Sequence, residues 1–461
     1  MEFNVHIQEL GKIEKLNLEI KPLTVIAGEN SSGKTFATKS IYCVLEALNQ
    51  NHLTGAFQEQ ADTFIRLLNL YETSLIPKTS KADQELLAHI NESFISIAND
   101  VTRYLSGLSL SEHSRLENIL TEQKEQLLLL NDSIQRYLSR SNSVTKTNKS
   151  QHFLHDAAAT LVQINETLSD GKESIRDYIA KALSDNFKAN YQVTRLSDLV
   201  NSNKKNEAKI QIEHIGELLF NHKNEISFKL EAQAINQIQK IEHVVFIDSP
   251  IYLRIREGLQ KSQARYLAHN RELKGYPEYI DNLYSCVDRK YMDPPEEEFS
   301  KLSTELQETI SGKLMVNKAG EIHYHDEAGE ATPLSLAATG VNNLGLIDLL
   351  IRNSVIKAGS FLIIDEPEAH IHPKWQVLLM EILYKMAQAG VNVIIATHSL
   401  DMLKKLQLIV KEDPEEANKI VSVHRMPQSN LDKHASLLDK IEESLTDLST
   451  PFYKMYLEEN S

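Results

Sequence analysis

The sequence has few cysteines and no long hydrophobic run. Only Cys43 and Cys286 are cysteines among 461 residues, so neither a disulfide framework nor a cysteine-based zinc site is expected. No stretch approaches the roughly 18 apolar residues that a membrane-spanning helix needs, and the first residues lack the basic region and apolar run of a signal peptide. These absences predict a cytoplasmic protein that does not contact a membrane.

Positive charge is also scarce. The chain has 49 basic and 64 acidic residues, which gives a formal net charge of −15. Affinity for phosphate backbones comes from concentrated lysine and arginine, so any contact with nucleic acid would need a local patch or a partner. With 41% hydrophobic and 25% charged residues, the composition is that of an ordinary globular protein long enough for two or three domains.

The hydrophobic pattern divides the chain into four segments. Residues 1–55 and 241–410 alternate strand-like apolar runs with helical patterns, which predicts an α/β core. Residues 56–240 are mostly helical, and residues 411–461 form a strand-and-helix extension. A heptad-like seam with one polar member predicts a coiled-coil-like arm inserted into the core. The seam consists of Leu116, Leu120, Gln123, Leu127, Leu130, Ile134 and Tyr137.

Residues 28–35 carry the strongest chemical signal. Their sequence, Gly-Glu-Asn-Ser-Ser-Gly-Lys-Thr, fits G-x-x-x-x-G-K-[ST] and lies between a strand run and a helical pattern. The glycines allow backbone N–H groups to face inward, and a helix N-terminus attracts phosphate. Lys34 is predicted to reach the β- and γ-phosphates of ATP, and Thr35 to ligate Mg²⁺. The predicted nucleotide contacts in this loop are Asn30, Ser31, Ser32, Gly33, Lys34 and Thr35.

An acidic pair follows a second buried strand run far along the chain. Residues 361–364 are apolar and precede Asp365 and Glu366, which places both carboxylates where α/β folds bind ligands. Combined with the glycine loop, this pattern predicts that Asp365 holds Mg²⁺ and that Glu366 polarises the attacking water. His398 follows another apolar run and is predicted to contact the γ-phosphate.

These three motifs resemble those of the ABC-type ATPases in the branch that includes SMC proteins and OLD nucleases. The resemblance covers residues 1–55 and 320–410, and the sequence Glu-Pro-Glu-Ala-His-Ile-His-Pro at residues 366–373 is typical of the branch. It implies a RecA-like α/β P-loop ATPase head split by the helical arm, with ATP and Mg²⁺ as cofactors. It also implies catalytic roles for Glu366 and His398.

The family has a signature loop that completes the ATP site of a partner subunit. By position this loop falls at residues 335–343, where Thr339 replaces the usual serine and Gly340 keeps the glycine before a helix. The resemblance implies that Thr339 and Gly340 bind nucleotide across a homodimer or a higher homo-oligomer. The departure from the sequence L-S-G-G-Q argues against a transporter subunit.

Small ATPases with this domain plan resemble those of the Septu and PARIS anti-phage systems, which work with an HNH and a Toprim nuclease respectively. The chain is therefore expected to hydrolyse ATP to ADP and phosphate, slowly and as a regulatory step. It is expected to sense infection, through DNA or a phage component, and to control a companion nuclease subunit. Two other classes remain: an SMC-like DNA-repair or chromosome-maintenance ATPase, and a scaffold that binds ATP without hydrolysing it.

Four clustered side chains in the acidic motif allow a metal interpretation. Glu366, Glu368, His370 and His372 provide four candidate ligands within seven residues, which is compatible with a metal nuclease. The same residue types are expected in the family segment after the catalytic glutamate, and that interpretation is preferred.

Three further segments allow either a partner or a purely structural role. Residues 254–274 and the loop at residues 139–151 are locally basic, so each is a candidate for binding nucleic acid or an acidic partner, or is a solvated surface. Residues 438–448 have apolar residues at helical spacing, which predicts a C-terminal helix that packs on the head or holds a partner.

Overall fold

The structure is a computed structural model, and its described residues fall into two compact units. The head comprises Met1–Asn49 and Leu183–Ser461, and the helical unit comprises Gln50–Ala182. The described residues are 1–49, 52–75, 81–106, 120–140, 148–169, 172–201, 207–231, 234–249, 251–267, 275–289, 295–317, 320–428 and 435–459.

The described strands all belong to the head. They are β1 (Phe3–Leu10), β2 (Ile13–Ile20), β3 (Leu23–Gly28), β4 (Ala208–Ile212), β5 (Gly216–Phe220), β6 (Ile226–Leu230), β7 (Val244–Ile247), β8 (Gly312–Val316), β9 (Ile322–Asp326), β10 (Ala331–Pro333), β11 (Phe361–Asp365), β12 (Asn392–Thr397) and β13 (Val421–Met426).

The described helices occur in both units. Those that lie wholly or partly in the helical unit are α2 (His52–Leu75), α3 (Lys81–Ser106), α4 (Thr121–Arg140), α5 (Asn148–Ser169) and α6 (Lys172–Tyr191), of which α6 continues into the head. The head contains α1 (Lys34–Asn49), α7 (Ala234–Ile238), α8 (Ile251–Leu267), α9 (Tyr279–Asp288), α10 (Glu297–Ile310), α11 (Thr339–Arg352), α12 (Pro373–Gln388), α13 (Leu400–Glu412), α14 (Pro414–Ile420) and α15 (Leu437–Glu459).

A five-stranded parallel sheet forms the centre of the head, in the order β13-β3-β12-β11-β7. Every residue of β3, β11 and β12 is buried, as expected for parallel strands covered on both faces. The register pairs Asp365 with Ala396 and Thr397 with Ala27. The carboxyl ends of β3, β11 and β12 therefore meet at one edge of the sheet.

Two antiparallel sheets accompany the parallel one. One has the order β2-β1-β4-β5-β6, and buried residues alternate along β4 and β5, as in a sheet with one face in the core. The other is the three-stranded sheet β10-β9-β8, in which β8 and β9 pair in an antiparallel register. The mixed α/β class predicted from the sequence is confirmed.

The C-terminal helix α15 packs on the head through its first half. Ile441 is fully buried, and Leu438 and Leu445 pack against the same core. Near its end, Tyr453 and Met455 are 63% and 51% exposed. The helix thus covers the head and also presents apolar side chains at its far end.

The helical unit has a single apolar core shared by α2, α3, α4 and α5. The rings of Phe64 on α2 and Phe94 on α3 are 4.2 Å apart between centroids. The α4 residues of the predicted seam are buried or partly buried in this core, including the polar Gln123 at 6% exposure. Leu116 and residues 141–147 of the predicted tip loop lie outside the described residues.

The insertion differs from the expected arm in extent and packing. The arm was expected to end near residue 240, whereas the helical unit ends at Ala182. The physical reason is that β4 pairs with β1, so residues 208–230 complete a sheet of the head. The unit also packs four helices around one core instead of a single seam. No helix in the described part of the chain is both long and apolar enough to cross a membrane.

Candidate functional site

The loop after β3 is a tight cradle at the carboxyl edge of the parallel sheet. Gly33 has a φ of 100°, a conformation that side-chain-bearing residues rarely adopt. A Cβ atom on Gly28 would lie 2.3 Å from the carbonyl oxygen of Met426 on β13. The N–H of Ala37 donates to the carbonyl of Gly33 at 3.0 Å, so helical hydrogen bonding starts inside the loop. The two glycines are therefore required by backbone conformation and by close packing.

Lys34 is a desolvated cation within this cradle. Its side chain is nearly buried, and its Nζ donates to the carbonyl oxygens of Gly28 and Glu29, both at 2.8 Å. Burial lowers the pKa of Lys34, while the nearby carboxylates, with Glu366 the strongest, act in the opposite direction. A cation removed from water in this way attracts a phosphate strongly.

Asp365 ends β11 and is also nearly buried. Burial raises the pKa of Asp365 to about 6, although a hydrogen bond with the Thr35 side chain opposes this shift. The charges of Asp248 and Glu366 raise the pKa further. One carboxylate oxygen of Asp365, Oδ1, is buried without a hydrogen-bond partner.

The donors of Thr35 and Asp365 fit a magnesium ion. Mg²⁺ prefers hard oxygen ligands, and in P-loop NTPases it is held by a loop serine or threonine and an aspartate. Here a hydroxyl and a carboxylate are in contact, and the unpartnered Oδ1 of Asp365 is an acceptor that a cation would satisfy. Thr35 and Asp365 would therefore hold Mg²⁺.

Glu366 adopts an unusual backbone conformation next to this pair. Its φ is 50°, in the left-handed region that non-glycine residues seldom occupy. Its N–H donates to the carbonyl of Ala396 at 2.9 Å, which holds the residue in that conformation. Strain of this kind clusters at functional sites, and here it accompanies a half-exposed carboxylate that lines the cavity.

A cavity of about 340 Å³ lies between the loop after β3 and Glu366. Its volume is within the range of small-molecule sites. The hydroxyl of Ser32, in the same loop, is buried without a hydrogen-bond partner. The structure thus brings the loop residues and Glu366 together around one space. The lining residues are Lys12, Asn30, Ser31, Gly33, Lys34, Thr35, Phe36, Lys39, Tyr191 and Glu366.

His398 lies just after β12, beside two glutamates. Its Nδ1 is 3.0 Å from Oε1 of Glu368 and 3.7 Å from Oε1 of Glu366. Oε1 of Glu368 also accepts hydrogen bonds from the His398 N–H at 2.7 Å and from the Thr397 hydroxyl at 2.9 Å. The histidine predicted from the sequence is therefore placed next to the predicted catalytic glutamate.

The predicted signature residues lie elsewhere on the head. The helix α11 begins at Thr339, and a Cβ on Gly340 would lie 2.6 Å from the Trp375 ring. Asn343 on α11 donates to the carbonyl of Ala369 at 3.1 Å, which connects this helix to the segment after β11. Among the described residues that line the cavity, Gly340 does not occur.

Some residues at the site are not predicted by any motif in the sequence. Lys39 lies one helical turn after Thr35 and lines the cavity, with its Nζ 5.2 Å from the centroid of the Tyr279 ring. Asp248 directly follows the buried strand β7 and accepts a hydrogen bond from the Tyr279 hydroxyl at 2.5 Å. The rule that identified Asp365, an acid after an apolar run, would also have identified Asp248. Nothing in the sequence marks Tyr191.

The alternative metal interpretation gains no geometric support. His372 is the N-cap of α12, where its Nδ1 accepts from the N–H of Lys374 at 3.2 Å. Across the described ranges of the chain, no three His, Cys, Asp or Glu side chains are grouped as metal ligands. His372 has instead a structural role at the start of a helix.

The basic segment at residues 254–274 is only partly described. Arg254 donates to the carbonyl of Ala337 at 2.5 Å, and the buried Arg256 pairs with Asp288. Residues 268–274 lie outside the described residues. Two of its arginines therefore have internal partners and are not part of a free basic surface.

Comparison with known structures shows similarity to SMC heads. One is an SMC head bound to the C-winged helix domain of ScpA, at 11% identity over 88% of this chain and 91% of that chain, with a TM-score of 0.38. Another is the SMC head domain from Thermotoga maritima, at 9% identity over 88% and 92%, with a TM-score of 0.35.

The chain is also similar to an ABC transporter component and matches one family model. The transporter component is cbiO1 from Clostridium perfringens, part of the complex cbiONQ, at 17% identity over 50% of this chain and 75% of that chain, with a TM-score of 0.22. No curated protein matches the sequence. The model of the AAA ATPase domain family matches residues 1–403, which is most of the chain. This chain therefore belongs to the AAA ATPase domain family.

Proposed function

We propose that this chain binds MgATP in the cavity at the carboxyl edge of the parallel sheet and hydrolyses it to ADP and phosphate. The observation that carries the proposal is the convergence of the glycine loop, Lys34 and Glu366 on one cavity of about 340 Å³. Asp365 lies beside this cavity, in contact with Thr35.

Each residue has a distinct role in this mechanism. The loop N–H groups and the Lys34 ammonium bind and orient the phosphates. Thr35 and Asp365 would hold Mg²⁺, which would supply positive charge to offset that of the phosphates. Glu366 orients the attacking water and accepts its proton, and His398 faces the γ-phosphate.

Turnover of ATP by a Glu366→Gln variant tests the catalytic assignment. We expect kcat to fall by about 100-fold because the amide cannot accept a proton, while affinity for ATP is retained. The control is Glu381→Gln, since Glu381 pairs with Lys405 on another surface at 3.0 Å. If Glu366→Gln hydrolyses ATP as fast as the wild type, Glu366 is not the general base.

ATP binding is further proposed to join two heads head-to-tail. The γ-phosphate held by Lys34 of one protomer would contact Thr339 and Gly340 at the start of α11 of the other. Two observations support this arrangement. Thr339 and Gly340 lie at the N-terminus of α11, a helix of 14 residues, where an anion is favoured. Leu336, three residues before that helix, is 76% exposed. Hydrolysis would then separate the heads.

Light scattering with ATP and Glu366→Gln protein tests the pairing. The mass should double from 52.3 kDa when MgATP is added and return after nucleotide removal. Thr339→Arg should bind ATP as a monomer, because a bulky cation replaces the hydroxyl at the interface. A Thr339→Arg protein that still doubles its mass would exclude this interface.

The regulatory output is proposed to be control of a companion nuclease of the HNH or Toprim type during phage infection. The support is the motif at residues 366–373, which resembles that of anti-phage ATPases. Tyr453 and Met455 at the end of α15 provide an exposed apolar surface for a partner.

Phage plaque counts on bacteria that carry this gene with its neighbouring reading frames test the defence role. Protection should require both a neighbouring nuclease and an intact Lys34. Unchanged plaque counts, together with a gel shift of DNA by the purified chain alone, would instead support the SMC-like DNA-maintenance function.

A further inference from the structure

Glu368 connects two strand ends of the head through a single carboxylate oxygen. Its Oε1 accepts hydrogen bonds from the Thr397 hydroxyl at 2.9 Å and from the N–H of His398 at 2.7 Å. The side chain of Glu368 is 6% exposed, whereas that of His398 is 40% exposed. The carboxylate is thus fixed inside the head, while the ring it contacts reaches the surface of the site.

The same oxygen determines where the ring carries its proton. Nδ1 of His398 lies 3.0 Å from Oε1 of Glu368, in a geometry that makes no hydrogen bond. An unprotonated Nδ1 carries partial negative charge and would be repelled by the carboxylate at this distance, whereas an N–H group at Nδ1 would be attracted. The carboxylate therefore favours the neutral tautomer with the proton on Nδ1, in which Nε2 is the basic nitrogen.

Glu366 approaches the same ring less closely. Its Oε1 is 3.7 Å from Nδ1, and its side chain is 42% exposed, so solvent screens its charge more effectively. The second oxygen of Glu368, Oε2, is buried without a hydrogen-bond partner. A buried carboxylate with an unsatisfied oxygen is costly, and its attraction to an N–H group at Nδ1 offsets part of that cost.

We propose that Glu368 is the positioning residue for His398: it keeps the ring proton on Nδ1 and leaves Nε2 directed to the γ-phosphate. The inference rests on the proposed hydrolysis of ATP and adds a residue that does not touch the nucleotide. Glu368 acts on catalysis through the histidine, by its negative charge beside Nδ1 and by the hydrogen bond that it accepts from the His398 N–H.

Kinetics of two Glu368 variants give the first test. Glu368→Gln keeps the shape and one acceptor oxygen but removes the charge, so kcat should fall by about tenfold with KM for MgATP changed less than about twofold. Glu368→Asp restores the charge on a shorter side chain and should recover part of the loss. Glu381→Gln, on the outer surface of α12, should match the wild type.

A double-mutant cycle separates positioning from general support of the fold. If Glu368 acts through the ring, Glu368→Gln should cause no further loss of kcat in a His398→Ala background. A loss of the same size in both backgrounds would overturn the proposal, because Glu368 would then act independently of His398. Unchanged kcat in His398→Ala would also overturn it.

The ring proton can be observed without any turnover. Nitrogen-15 histidine spectra, with the His398 signals assigned by their loss in His398→Ala, should show the proton on Nδ1 in the wild type. In Glu368→Gln the signals should shift toward the Nε2–H form, because the amide lacks the negative charge that favours a proton on Nδ1. An unaltered proton position in Glu368→Gln would overturn the proposal. A wild type without ATP turnover would refute the proposed hydrolysis instead, and the spectra would still decide the role of Glu368.

Discussion

The head and the helical unit bury different kinds of polar residue. In the described part of the head several buried side chains are charged, whereas the buried polar side chains in the described part of the helical unit are neutral. A buried charge costs free energy unless it is paired, so the head carries an energetic cost that the helical unit avoids. The charged group includes Lys34, Arg256, Asp348, Asp365 and Glu368, and the neutral group is Gln123, Thr160 and Thr167.

Position in the head separates the satisfied buried carboxylates from the unsatisfied ones. Asp348, away from the site, accepts hydrogen bonds from three side chains. Asp365 and Glu368, at the site, each leave one buried oxygen without a partner. The difference indicates that the head gives up stability at the site where reactive carboxylates are placed.

Replacement of Phe94 should have the largest effect on the free energy of unfolding, and it tests the packing of the helical unit. It is fully buried against Phe64, so Phe94→Ala should destabilise the unit by about 3–5 kcal/mol. Ile95→Ala, one residue on and 41% exposed, is the matched control and should have little effect. Hydrogen exchange of the α2–α5 amides measures the change, and MgATP affinity should stay within about twofold of the wild type. A parallel collapse of MgATP binding would show that the two units are not separable.

Replacement of Lys34 tests the head, where a buried charge is proposed to bind ATP. Lys34→Ala should weaken MgATP binding by about 100-fold, or roughly 2.8 kcal/mol, because the phosphates lose a desolvated cation. Lys301→Ala removes a cation whose side chain is 73% exposed and should leave the affinity unchanged. Titration with a fluorescent ATP analogue measures both. An affinity loss of less than about threefold for Lys34→Ala would remove the lysine from the binding site.

Glu46 is a further acid of the head, and it should make the stability of the head depend on pH. This half-buried residue of α1 lines a cavity at the amino edge of β7, and burial raises its pKa from 4.5 to about 8. Between these two values the folded state holds a proton that the unfolded state has lost, so stability falls as the pH rises. Glu46→Gln should therefore stabilise the head near pH 8 by about 1 kcal/mol or more, and much less near about pH 5.

Thermal melts of Glu46→Gln at the two pH values measure this difference. Glu297→Gln is the control, because that side chain is 83% exposed. An equal gain for Glu46→Gln at both pH values would mean that Glu46 does not titrate with a raised pKa.

The carboxyl edge of the parallel sheet could be predicted because its signals are local in sequence. A glycine loop between a strand and a helix, and an apolar run that ends in an acid, each specify a site without knowledge of distant residues. Lys34, Asp365 and Glu366 were found in this way. Because parallel strands align their carboxyl ends, it followed that these residues would converge.

The role of Glu368 could not be predicted, because its contacts join separate elements. The sequence groups Glu368 with His370 and His372 as a candidate metal ligand, but its hydrogen bonds reach Thr397 and His398, 29 and 30 residues away. The end of the helical insertion is hidden in the sequence for the same reason. Residues 208–212 resemble any short alternating segment until they pair with β1.

Gln123 gives the smallest expected effect and tests whether the helical unit is optimised for packing. It is the polar member of the α4 seam, and its Oε1 is buried without a hydrogen-bond partner. Gln123→Leu should stabilise the unit by about 1 kcal/mol, because an apolar side chain of similar size removes an unsatisfied acceptor. Gln126→Leu, on the exposed face of the same helix, should give no gain. If denaturation shows that Gln123→Leu destabilises the unit, the amide of Gln123 makes a favourable polar interaction in the folded state. The contrast between buried charges in the head and buried neutral groups in the helical unit would then be weaker.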